Sequence, residues 1–130
     1  MKKQKTSSRD AFLWADCVGG LLVGFFVLLF AGTLSHWEGL PDGIILFSAA
    51  ANLLYGSYSL FVTTRRRRPR YLVAILSVAN MCWMIPCVTI VVFYWNQITP
   101  TGIAHMMVEG VYVASLGFLE WRMLDQLTTT

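Results

Sequence analysis

The sequence predicts an all-α fold: a polytopic membrane protein built as a four-transmembrane-helix antiparallel bundle. Three observations predict it. Of 130 residues, 56% are hydrophobic and only 13% charged, where an ordinary soluble domain carries roughly 25% charge. The apolar residues fall in four runs, at about 11–34, 42–63, 71–95 and 101–122. Each is long enough, at about 1.5 Å per residue, to cross a hydrocarbon layer of about 30 Å. Backbone polar groups in lipid must bond within their own segment, so such runs are helices. The third observation is where the charges lie. Lys2, Lys3, Lys5 and Arg9 precede the first run, Arg65, Arg66, Arg67, Arg68 and Arg70 separate the second from the third, and Arg122 ends the fourth. Those are all ten basic residues. The positive-inside rule puts both termini and the arginine loop in the cytoplasm. The expected location is the cell inner (plasma) membrane, with residues 1–130 forming one four-span membrane domain.

The elements follow in order. Residues 1–10 read as a short solvated tail. The first span, 11–34, is longer than a typical leader and carries Asp16, which predicts a retained anchor. Asp16, Gly20 and Gly24 recur every four residues, so the carboxylate shares a face with a close-approach glycine pair and points at protein. Residues 35–42, SHWEGLPD, read as an outer loop. In the second span Ser48, Asn52, Tyr55 and Ser59 share one face. Residues 65–70 make a tight inner turn. The arginine run there is a topology signal that can also meet anionic lipid headgroups; nucleic acid is excluded, because no domain surrounds it. In the third span Ser77, Asn80, Met84 and Cys87 form a mildly polar stripe. Pro86 deprives the Cys82 carbonyl of its donor and predicts a kink. Trp83, mid-membrane, reads as packing. Trp37, Tyr94 and Trp95 mark one interface, and Trp14, Tyr71 and Trp121 the other.

The fourth span carries the chemistry. At about 100° per residue, His105, Glu109, Tyr112, Leu116 and Glu120 fall within an arc of roughly 80°. A carboxylate in hydrocarbon costs several kcal/mol unless it is paired or faces protein, so the other three spans must shield this face. With every stripe turned inward, Asn52, Asn80 and Glu109 meet near mid-depth and His105 lies one turn toward the outside. Asp16 and Glu120 meet near the cytoplasmic end. Glu120 is read in preference as interfacial, pairing with Arg122 or solvent. The candidate binding or proton-path residues are Glu109, His105, Asn52, Asn80, Asp16 and Tyr112.

These groups support two readings. Asn, Ser and single carboxylates hold membrane helices together, which favours a structural or accessory membrane subunit with a buried polar cluster. The alternative is a proton- or cation-coupled small-solute transporter or channel using Glu109 and His105. A metal site built from His105 and Glu109 with His36, Glu38 or Asp42 is a lesser possibility. An enzyme is the less favoured class, since no phosphate loop, triad or dinucleotide fingerprint is present and no cofactor is implied. Cys17, Cys82 and Cys87 have neither redox nor zinc spacing and read as buried free thiols. The expected partners are the lipid bilayer and either further copies of the chain or a larger membrane protein. Pro41-Asp42-Gly43-Ile44 and Pro100-Thr101-Gly102-Ile103 open the second and fourth spans alike, as turn-then-helix starts with proline in the first turn.

Overall fold

A computed structural model describes residues 2–128. The chain is 85% helical and, among the described residues, has no strands. The elements are α1 (Lys2–Leu29), α2 (Ala31–Glu38), α3 (Asp42–Thr64), α4 (Arg70–Cys82), α5 (Met84–Phe93), α6 (Pro100–Arg122) and α7 (Leu124–Leu127). Four helices are long and apolar enough to cross a membrane: residues 11–29 of α1, α3, the α4–α5 rod, and α6. They form an antiparallel bundle of two tight hairpins. α1 packs along α3, and α4 and α5 pack along α6. The hairpins touch each other mainly at their ends, through α2 against α6, α3 against α4, and α1 against α7.

Local sequence explains the element boundaries. Pro41, Pro69 and Pro100 sit at the starts of α3, α4 and α6, where a missing N–H costs nothing. Thr99 caps α6, its hydroxyl accepting from Gly102 N at 3.2 Å. The third span breaks at Trp83 rather than at Pro86 itself. Pro86 has no N–H for the Cys82 carbonyl, and the helix resumes with Cys87 N donating weakly to Trp83 O at 3.4 Å. The first span also breaks, at Phe30, after which α2 carries helix through to Glu38. Most of the stretch expected as an outer loop is therefore helical. Gly39, at φ +68°, ends α2 in the left-handed conformation that favours glycine. At the N-terminus the backbone is helical from Lys2, so the expected tail extends α1.

Two apolar clusters close the ends of the bundle. At the end away from the arginines, Val27, Ile45, Ala49, Ile90, Val91 and Met106 pack together. At the basic end Leu13, Val62, Leu72 and Leu76 pack with Leu124 and Leu127. The C-terminal residues after Arg122 are thus docked through α7 as far as Leu127. One loop arginine is structural: Arg68 is buried and donates from Nη2 to Thr63 O at 3.0 Å and from Nε to Val62 O at 3.3 Å. It satisfies carbonyls at the end of α3 that the helix itself cannot. Cys17 and Cys87 are buried, whereas Cys82 is exposed on the outer face of the bundle, so only two of the three thiols are core residues. The belt residues Trp14, Trp37, Tyr71, Trp95 and Trp121 are exposed.

Candidate functional site

Between the two apolar clusters the bundle interior is polar. On α3, Ser48, Asn52 and Ser59 are buried on one face. On α4, Ser77 and Asn80 are buried. α6 contributes His105, Glu109 and Glu120 to the same interior. The hydrogen bonds sort these groups into two clusters.

The first cluster lies toward the end away from the arginines. Glu109 has 9% of its side chain exposed. Its Oε1 accepts from Asn52 Nδ2 at 2.9 Å and from Trp83 Nε1 at 3.3 Å. Its Oε2 lies 3.0 Å from His105 Nε2. That contact is an ion pair without well-aligned hydrogen-bond geometry, since Oε2 has no aligned donor. On its other side, His105 Nδ1 contacts Glu38 Oε1. An imidazolium at this position meets a carboxylate on each side, so the row Glu38–His105–Glu109 reads acid, base, acid.

Two glycines deliver Glu38 to this row. The turn at Gly39 reverses the chain after α2, and Gly102 lets the end of α2 lie directly on α6. A Cβ at Gly102 would stand 2.6 Å from Glu38 O and 3.1 Å from Glu38 Cβ. Thr99 fixes the junction: its N donates to Glu38 O at 2.9 Å and its hydroxyl to Trp37 O at 2.5 Å. His105 follows Gly102 by three residues, one helical turn, which places its ring at the Glu38 carboxylate.

The second cluster lies toward the basic end. Asp16 Oδ2 accepts from Tyr55 OH at 2.5 Å and from Ser59 Oγ at 3.3 Å. Glu120 is fully buried and its Oε2 accepts from Asn80 Nδ2 at 3.0 Å. The Asp16 and Glu120 carboxyls are neighbours at this end of the interior and carry like charge when both are ionised. Glu120 is therefore not an interfacial residue. Arg122 turns away from it and lies over the Phe118 ring. Ser77 Oγ donates to Gly117 O at 2.6 Å nearby, where a Cβ on Gly117 would lie 2.7 Å from Asn80 Cβ; α4 and α6 approach each other closely here.

A hollow of about 210 Å³ lies between the clusters, bordered by Glu109 and Asn52 on one side and by Asp16, Tyr55 and Asn80 on the other. A second, more open groove of about 530 Å³ runs between α1, α2 and α6 and has Glu38, His105 and Glu109 along it. Its rim carries Leu22, Phe26 and Val108, all exposed on the outer surface of the bundle. Glu109, Val23 and Tyr112 border both spaces.

The residues proposed from sequence therefore fall as follows. Glu109, His105 and Asn52 are joined in one cluster. Asp16 and Asn80 belong to the other. Tyr112 is 59% exposed and stands at the boundary of groove and hollow rather than inside the cluster. Five further residues join the clusters: Ser59 and Glu120 at the basic end, and Glu38, Trp83 and Tyr55. Glu38 falls in a stretch that reads as a loop in the sequence. Trp83 was assigned to packing, though it also lies against the Phe47 ring. Tyr55 was read only as part of a stripe; a tyrosine on the same face as Asn52 was the available signal.

The site does not suit a metal. Among the described residues no group of three or more His, Cys, Asp or Glu side chains is placed to hold an ion. The reason is visible at His105: its two carboxylate neighbours sit at opposite nitrogens, so the three groups cannot converge on one centre. Compared with known protein families, with characterised proteins and with solved structures, the chain matches none.

Proposed function

We propose that this chain is a small carrier in the cell membrane that moves protons, or another small cation, along its acidic column and can couple that movement to a small solute. The carrying residues are Glu109 and His105. The observation that supports this most is the order of groups: Glu38, His105 and Glu109 in contact, then the hollow, then Asp16 and Glu120. Each member is partly desolvated, and the arrangement runs from one apolar plug toward the other. Protonatable groups placed in sequence through a helical bundle are what charge movement across a bilayer needs.

In this scheme Glu109 is the exchange point. Its Oε2 faces His105, while the hollow on its other side leads to Asp16 and Tyr55. When the His105 imidazolium gives its Nε2 proton to Glu109, both groups become neutral and their ion pair is dissolved, and a proton arriving by way of Glu38 recharges the ring. The neutral carboxyl can then turn to the hollow. Asn52 and Trp83 keep Oε1 in place by donating to it. Asp16 and Glu120 form the next station, at the basic end, which the charge distribution assigns to the cytoplasm.

The competing reading, a subunit whose polar stripes only bind helices together, accounts less well for the unsatisfied atoms. Interhelical glue works by saturating hydrogen bonds. Here Glu38 Oε2, Asn80 Oδ1 and Glu120 Oε1 are buried with no protein donor. The test is proton uptake into liposomes containing the purified protein, driven by an imposed potential and read with an internal pH dye. Wild-type protein takes up protons, and Glu109→Gln lowers the rate by about tenfold or more while keeping its helix content and elution volume. Equal rates for the two proteins, or no uptake by either, would sink the carrier and leave the subunit reading.

A further inference from the structure

We infer that the hollow between Glu109 and Asp16 is the solute site, and that it takes a small primary amine in its ammonium form with a compact apolar body. This rests on the carrier reading for its role in transport, but not for binding itself. Three features of the hollow select this class. The first is the sign of the unmet hydrogen bond. Asn80, 1% exposed, borders the hollow, and its Oδ1 is buried with no protein donor. An acceptor without a donor calls for a ligand that donates, and an ammonium brings three N–H groups and accepts nothing.

The second feature is charge. The hollow is bordered by two carboxyls, Asp16 and Glu109, and by no lysine or arginine. An anionic solute would meet repulsion there, and a neutral one would leave the acceptors without charge-assisted bonds. The third is size and wall chemistry. The space is about 210 Å³, somewhat more than the roughly 150 Å³ apolar cavity that takes a benzene molecule. A ring with a one- or two-carbon arm and an amine fits that difference. Val23, Leu116, Trp83 and Tyr55 supply apolar and aromatic wall, and aromatic faces attract cations. The open groove beside α6 provides access from the lipid side, since it meets the hollow at Glu109, Val23 and Tyr112.

The experiment is isothermal titration of nanodisc-embedded protein with benzylamine, with empty nanodiscs as blank. Benzyl alcohol has the same shape without the charge. Benzyltrimethylammonium has the charge without N–H donors. Benzylamine should bind about tenfold or more tightly than either. Two variants locate the site. Glu109→Gln removes one carboxylate. Gly19→Leu adds a side chain at the border of the hollow, where a Cβ would meet nothing within 4 Å, so the substitution meets no clash there and keeps every carboxyl. Both should weaken benzylamine binding by about tenfold or more. Benzyl alcohol binding equally well would reduce the site to an apolar cavity. Equal binding of the quaternary amine would make charge alone sufficient. Unchanged binding in Gly19→Leu would put the ligand elsewhere. Any of these results, or no benzylamine binding, overturns the inference. Proton uptake separates it from the carrier reading: a protein that binds benzylamine as stated but shows no uptake keeps the site and loses the carrier.

Discussion

The two ends of the polar column use the same residue types to opposite effect. Toward the outer cluster a histidine stands between two carboxylates, Glu38 and Glu109. Toward the basic end two carboxyls, Asp16 and Glu120, face each other with only neutral donors around them: Tyr55, Ser59 and Asn80. The first is held by opposite charges, and the second by hydrogen bonds from neutral groups that offset a like-charge contact. Removing a carboxylate should therefore weaken one end and relieve the other.

The same substitution at both ends gives the largest contrast. Glu109→Gln leaves the His105 imidazolium with one carboxylate instead of two. Breaking a buried pair costs about 3–5 kcal/mol, and because 24% of the His105 side chain is exposed the loss expected is the lower figure, about 3 kcal/mol. Glu120→Gln keeps an acceptor for Asn80 Nδ2 and adds an N–H that can donate to Asp16. It removes a like-charge contact, so stability should rise by about 1 kcal/mol. Reversible unfolding in mixed detergent micelles measures both. Two losses of similar size would mean that both carboxyls are held in the same way, and the contrast between the ends would be lost.

The second effect tests how the outer cluster is assembled. Gly102→Ala places a methyl group 2.6 Å from Glu38 O, and a backbone atom cannot swing aside as a side-chain tip can. α2 must lift from α6, taking Glu38 away from His105. Overpacking of this kind costs about 1–3 kcal/mol, and about 2 kcal/mol is expected here. The distinctive readout is that Glu38→Gln should cost much less in a Gly102→Ala background than in wild type, because the pair is already separated. Additive costs would mean that Glu38 reaches His105 without the close approach at Gly102.

These contrasts also mark what the sequence could and could not convey. The four long helices, and the inward faces of Asn52, Asn80, Asp16 and Glu109, were legible because helical periodicity is a local property. So was the His105–Glu109 pair, one turn apart on a single helix. Glu38 was not, because its depth depends on two breaks in regular structure. Counting apolar residues ends the first span near Leu34, whereas the chain bends at Phe30, continues as helix and turns back at Gly39. Glu120 was misplaced for the complementary reason. Its proximity to Arg122 suggested an interface, but Leu124 and Leu127 fold back onto Leu13 and Leu72 and close the basic end beyond it. Where a carboxylate sits in a bundle is decided by what covers it, and the cover comes from distant segments.

The smallest effect concerns Trp83, which joins the two ends because it borders the hollow and also donates to Glu109. Trp83→Phe keeps an aromatic ring against Phe47 and removes only the indole N–H. That bond is long, at 3.3 Å, and Glu109 Oε1 retains Asn52 at 2.9 Å. Single hydrogen bonds between membrane helices average about 0.6 kcal/mol, so the stability change should be near that value. Proton uptake is the more telling measurement. With one of its two neutral donors gone, Glu109 Oε1 is less firmly held and the carboxyl turns toward the hollow more readily, so the uptake rate should change while stability hardly does. Asn52→Leu, by contrast, removes the shorter bond and should lower both. Equal effects of the two substitutions on both quantities would mean that Trp83 and Asn52 anchor Glu109 equally, and the indole would count as a structural donor like any other.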